Sequence, residues 1–173
     1  MTETTAPAAV PGKVAGIAIT AIVIALIVAW IVIAVGVLKM GEGTLVGAFM
    51  FLWYWANNEQ LQFGRLLPAM LGSLVGIGIA WFLFIGTAAG GALALASLGV
   101  LILALYLDVV KALPMLVNTA TMLFVTLAAA PLIQLKVDWP ELVESTVLGG
   151  LFFAGSVWAL QALAAKFAPT PQS

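Results

Sequence analysis

The sequence predicts an all-α integral membrane protein of about six transmembrane segments, arranged as two inverted three-helix repeats with a short or re-entrant second segment. Three observations carry this reading. Of 173 residues, 64% are hydrophobic and 8% charged, with a mean hydropathy of +1.22, whereas a soluble domain carries about 25% charged residues. The apolar residues fall into runs near membrane-spanning length, separated by polar or glycine-containing links. One of these runs also repeats within the chain.

Composition excludes several function classes. Cysteine and histidine are absent, which removes disulfides, thiol chemistry, His-ligated haem, typical zinc sites and Ser–His nucleophiles. A net charge of −1 provides no basic patch for nucleic acid. No nucleotide-binding motif appears. The scattered carboxylates lie mostly near segment ends, so no enzyme is expected, and no cofactor or metal.

Residues 1–13 read as a disordered, Pro-broken tail. Val14–Leu38 is the first span; its apolar run is too long for a signal-peptide core. Ala21, Ala25 and Ala29 form a small-residue stripe along it, read either as a close-packing face or as filler. Trp30 lies inside the run, facing another helix or a cavity. Thr44–Ala56 is the second segment, with about 13 apolar residues rising only ~20 Å against a hydrocarbon core of ~30 Å. Asn57–Arg65 is a polar link.

Leu66–Ile85 is the third segment, opened by Leu67-Pro68, where a first turn tolerates proline. It carries Gly72, Gly76 and Gly78, a candidate close-packing face. Gly86–Gly91 reads as a flexible turn. Ala92–Leu107 is the fourth segment, closed by Asp108 and Lys111, and Leu113–Ile133 is the fifth. Gln134–Glu141 is a charged loop with Trp139 at an interfacial position. Leu142–Ala165 is the sixth segment, and residues 167–173 form a polar tail. If all six cross, Lys13, Arg65, Lys111 and Lys166 share one side and Lys39 and Lys136 the other. That bias places both termini in the cytoplasm.

The third and sixth segments superpose without gaps. Leu71, Gly72, Leu74, Gly78 and Trp81 match Leu148, Gly149, Leu151, Gly155 and Trp158 at one offset. The second and fifth align more weakly, Val46-Gly47 against Val117-Asn118. Repeat one covers about 14–86 and repeat two about 91–166, within a single transmembrane domain, 14–166. A three-span repeat has an odd number of crossings, so its second copy enters from the opposite side. The alternative is a six-helix bundle with chance similarity.

The chain resembles the small YcdZ-like bacterial inner-membrane proteins. The resemblance rests on Ala18–Trp30, Gly47–Trp55, Gly72–Trp81, Leu113-Pro114 and Trp139 to Gly155. It implies a compact multi-span protein of the bacterial inner membrane and supplies no catalytic residues. The urea-channel signature LPxxTxPF begins at Leu113-Pro114 but is not completed, because Val117 and Asn118 follow and no Pro-Phe does.

Polar groups at membrane depth are the functional candidates, since leaving them unpaired in hydrocarbon is costly. Asn118, Thr119 and Thr121 form the most polar such stretch, with Asn118 and Thr121 on one helix face. Their hydroxyls either meet a solute or bond back to their own helix. Trp53 and Trp55, with Tyr54, form an interfacial belt or an aromatic constriction. Asn57 and Glu59 belong to a wet loop, and Asp108 and Lys111 to an interfacial pair. Glu144 is a helix-end carboxylate or a cation site. Gly72, Gly76, Gly78, Gly149 and Gly155 are assigned to helix packing.

The expected function is passage of a small, neutral solute by a channel or facilitated route. Asn118, Thr121, Thr119, Trp53, Trp55, Asn57 and Glu144 are the lining candidates. The alternative is an accessory membrane protein whose glycine faces dock a partner or copies of itself. The expected partners are the lipid bilayer, a small-molecule solute and, through those faces, a homo-oligomer.

Overall fold

A computed structural model of the chain describes residues 12–41 and 45–167. Most of both expected tails, and Glu42 and Thr44, lie outside these residues. All regular structure among the described residues is helical. Helix α1 spans Lys13–Ile31 and continues as a π-helical turn, Val32–Val37. It is followed by α2 (Val46–Asn57), α3 (Phe63–Ala89), α4 (Gly91–Val109), α5 (Thr119–Ala128), the single turn α6 (Pro131–Gln134) and α7 (Trp139–Phe167).

Among the described residues, four stretches are long and apolar enough to cross a membrane: Gly16–Val37, Phe63–Ala89, Gly91–Val109 and Trp139–Lys166. The second segment is short, as expected. At 12 residues, α2 rises only ~18 Å. The fifth segment departs from expectation, because Leu113–Ile133 is not one helix. Its helical part, α5, has 10 residues and rises ~15 Å. Asn118 sits in extended geometry and caps the helix that starts after it. At the other end Ala129 closes α5, and Ala130 turns extended ahead of Pro131, which opens α6.

Two further boundaries differ from the sequence reading. Helix α3 begins at Phe63, so Pro68 lies inside it rather than in its first turn. Gly86 is helical, and Gly90 alone separates α3 from α4. Gly90 and Gly91 have φ of +69° and +57°, a left-handed geometry that glycine adopts without steric cost. The reversal is therefore tighter than a loop from Gly86 to Gly91.

Packing follows from the glycines. A Cβ on Gly72 would meet the Asn118 carboxamide, and one on Gly76 would meet Thr121, Phe124 and Val125. Helix α5 therefore lies along α3 and runs in the same sense. On α7, Gly149 faces Ala48 and Gly150 faces Phe51, while Gly47 of α2 faces Leu142 and Thr146. Helix α2 thus lies along α7, also in the same sense. The long helices α3 and α7 pack antiparallel: Met70 meets Gly150 at one end, and the Phe84 ring lies 5.9 Å from that of Trp139, tilted against it, at the other. Helix α4 returns along α3, with Ser97 at Gly86 and Ala104 near Ile79.

Helix α1 touches α7 mainly through its second half. Trp30 is buried, with its ring 5.6 Å from Phe152 and 6.2 Å from Phe153, so it faces another helix. Its indole N–H has no acceptor among the described residues; what holds it is apolar packing. The central core is shared by α2, α3, α5 and α7, with Phe51, Tyr54, Ile77 and Phe124 among its members.

Candidate functional site between the two short helices

The most unusual region is the seam where α2 and α5 face each other. Val46 and Met50 stand opposite Phe124, Leu127 and Ala128. At the other end the Tyr54 hydroxyl faces the Thr119 side chain and the Ala120 backbone. The two helices are therefore antiparallel, α2 lying along α7 and touching α3, and α5 lying along α3.

Each short helix is fastened at its N-terminus to a long helix. In α5 the Asn118 Oδ1 accepts from the N–H of Ala120 at 2.9 Å and of Thr121 at 3.4 Å. The Thr121 Oγ1 accepts from the Asn118 N–H at 3.1 Å, closing a reciprocal capping box. The Asn118 Nδ2 donates across to the Pro68 carbonyl of α3 at 3.0 Å and to the Pro114 carbonyl at 3.1 Å. In α2 the Ala48 N–H donates to Ser145 Oγ of α7 at 3.3 Å. Pro68 and Ser145 stand at the same sequence offset as Gly72 and Gly149.

The sequence-assigned lining residues separate into two groups. Asn118 and Thr121 come together as expected, but they serve the helix start. Both Asn118 amide protons and its oxygen are engaged by the protein, and Thr121 donates to the Leu116 carbonyl at 2.9 Å. Thr119 is exposed on the first turn, beside Tyr54. Trp55 is fully buried, donates to the Gln62 carbonyl at 3.1 Å, stacks with Phe51 and meets Phe63 edge-on. Trp53, Asn57 and Glu144 are exposed and away from the seam. Asn57 donates to the Trp53 carbonyl at 2.9 Å, within its own helix. The adjacent aromatics are thus divided by helical period, with Trp53 outward and Tyr54 and Trp55 inward.

Tyr54, Glu59 and Arg65 were not singled out as a group by sequence. Glu59 Oε1 accepts from the Tyr54 hydroxyl at 2.8 Å, and Glu59 Oε2 lies 3.9 Å from Arg65 Nε. The sequence signal was the rule that a buried tyrosine hydroxyl finds a partner. What hid the group was the positive φ of Gln60 and Leu61, which turns the chain after Glu59 so that Arg65 comes back toward it.

Of the packing glycines, Gly72, Gly76 and Gly149 are covered by neighbouring helices of the same chain, while Gly78 and Gly155 face open space. The Gly72–Gly76 face is thus used internally. Thr126 bonds back to the Met122 carbonyl within its own helix, and Lys111 pairs with Asp108 at 2.9 Å, the pair expected from sequence. Among the described residues no group of three His, Cys, Asp or Glu forms a metal cluster.

The space left in the seam is about 10 Å³, lined by apolar side chains. That is at the lower limit for a single water, which would also need polar partners. The seam is filled by its own apolar side chains. No family model, curated protein or solved structure matches the chain.

Proposed function

We propose that the protein passes a small, neutral solute along the α2–α5 seam, and that the arrangement described is its closed state. The observation that carries this reading is the pair of short antiparallel helices, each pinned at its N-terminus to a long helix. Short or interrupted helices at matching places in two repeats mark the solute site of many membrane carriers. An inverted two-fold is supported by the paired contacts: α5 on α3 beside α2 on α7, and α4 on α3 beside α1 on α7. Further support comes from Lys39 and Lys111, which close α1 and α4 with φ of +59° and +52°.

The seam's walls are apolar, and its polar groups lie at one mouth, where Tyr54, Glu59 and Thr119 meet. That chemistry suits an uncharged solute with one or two hydrogen-bonding groups. Opening requires α2 and α5 to separate, since Phe124 and Met50 fill the gap.

Purified protein in liposomes is tested by stopped-flow light scattering against a panel of small neutral solutes. At least one solute should enter faster than into empty vesicles, and Phe124→Ala should speed it further by removing the plug. If folded protein gives no flux for any solute, and Phe124→Ala gives none either, solute passage is wrong. The docking alternative then rests on the open Gly78 and Gly155 faces, because Gly72 and Gly76 are already occupied.

A further inference from the structure

We propose that α2 is the moving wall of the seam and α5 the fixed one, and that the link from Asn58 to Gln62 is a strained clasp holding the C-terminal end of α2 shut. The proposal rests on the reading of the α2–α5 seam as the solute path, and it assigns the gate to one end of that path. Gln60 and Leu61 have φ of +49° and +58°, a left-handed geometry that residues other than glycine, asparagine and aspartate adopt only at a cost. Neither is one of those three. Two such residues in succession persist only where their surroundings over-determine them.

Those surroundings are the two inward-facing aromatics of α2. The Tyr54 hydroxyl donates to Glu59 Oε1 at 2.8 Å, just ahead of the strained pair. The Trp55 indole N–H donates to the Gln62 carbonyl at 3.1 Å, just after it. Between them the Leu61 N–H returns to the Trp55 carbonyl at 3.0 Å, and the Gln62 N–H to the Glu59 carbonyl at 2.9 Å. Tyr54 and Trp55 are buried, so the link relaxes only when they let go. Tyr54 also closes this end of the seam, against Thr119 and Ala120. Release of the clasp therefore frees the side chain that shuts the path.

The seats of the two short helices decide which of them moves. The glycine-lined approaches of α2 to α7 involve Gly47, Ala48 and Phe51, all in its first half. Its tie to Ser145 starts from Ala48 as well. Among the described residues no glycine admits the second half of α2 to a neighbour, and the clasp holds that half instead. Helix α5 is anchored at the opposing end, where Asn118 ties its first turn to the Pro68 carbonyl and fits against Gly72. The movable end of α2 thus faces the anchored end of α5.

Hydrogen–deuterium exchange of the full chain in detergent, read by mass spectrometry on peptides covering 55–62 and 119–128, tests this. Tyr54→Phe should speed exchange in the first peptide by about fivefold, through loss of one hydrogen bond, and leave the second unchanged. Glu59→Gln weakens the same bond from its half-exposed end, should act in the same direction, and serves if Tyr54→Phe fails to fold. Gln60→Gly should slow the first peptide by about two- to fivefold, since glycine takes the left-handed geometry without steric cost. Gln60 is exposed, so no packing is lost there. Unchanged exchange in Tyr54→Phe and Glu59→Gln, equal acceleration of 119–128, or faster exchange in Gln60→Gly overturns the clasp. In liposomes Tyr54→Phe should speed the solute that passes and Gln60→Gly should slow it; flux that responds to neither overturns the gate. The expected exchange pattern with no flux in any variant supports the clasp and removes solute passage instead.

Discussion

Asn118 illustrates how much one side chain holds in a chain with few polar groups. Its carboxamide caps α5 and ties that cap to α3 through Pro68. Removing it as Asn118→Ala costs the cap, about 0.5–2 kcal/mol, and leaves the Pro68 and Pro114 carbonyls short of a donor. Asp caps helices as well as Asn does, so a purely capping role predicts that Asn118→Asp is neutral. The tie to α3 predicts the reverse: a carboxylate would face two carbonyls, and Asn118→Asp should destabilise at least as much as Asn118→Ala. Denaturation of both variants in detergent, followed by circular dichroism, separates the two roles. Tyr54→Phe should cost about 1 kcal/mol by stranding one acceptor of Glu59, and the same titration reads it.

At the scale of elements, the close approach of short helices onto long ones rests on glycines with no room for a methyl. Gly76→Ala should destabilise by about 1–3 kcal/mol through overpacking against α5. Gly149→Ala should do the same against α2. Gly78→Ala and Gly155→Ala meet open space and should be neutral, or stabilising by up to about 1 kcal/mol from helix propensity. Thermal unfolding in one detergent, with all four variants side by side, checks the sign at each position. The glycines were visible in the sequence as two matching sets. Which member of each set faces a neighbour was not, because a helix carrying several glycines offers more than one close-packing face. Similarly, Asn118-x-x-Thr121 carried the spacing of a capping box, yet within a long apolar run it reads equally as a polar patch facing a solute.

For the whole molecule, the senses of the helices alternate along the chain: α1 against α7, α2 with α7, α3 against α7, α4 against α3, α5 with α3. If α2 and α5 complete crossings with the help of the irregular stretches beside them, Lys13, Lys111 and Lys166 share one face of the membrane and Lys136 has the other. The chain has no native cysteine, so single-cysteine variants at these four positions report the topology directly. In sealed vesicles, an impermeant maleimide should label Cys replacing Lys13, Lys111 and Lys166 from one side, and Cys replacing Lys136 only from the other. Labelling of Cys replacing Lys136 from the same side as Cys replacing Lys13, with Cys replacing Lys166 on the other side, would mean that one of the short helices turns back.

The sequence by itself determined the solvent, the four long helices and the shortness of the second segment. These depend on composition and run length, which the bilayer converts directly into geometry. It also carried the third–sixth segment match, since glycine and tryptophan spacing survives in the chain without reference to partners. Only the tertiary structure decided that the fifth segment is broken, that Trp53 points away from Tyr54 and Trp55, and that Glu59 reaches back to Tyr54. Those outcomes depend on which face of a helix is covered and by what. In a chain that is apolar on nearly every face, hydrophobic pattern no longer marks the inside, so shape and a few hydrogen bonds make that choice.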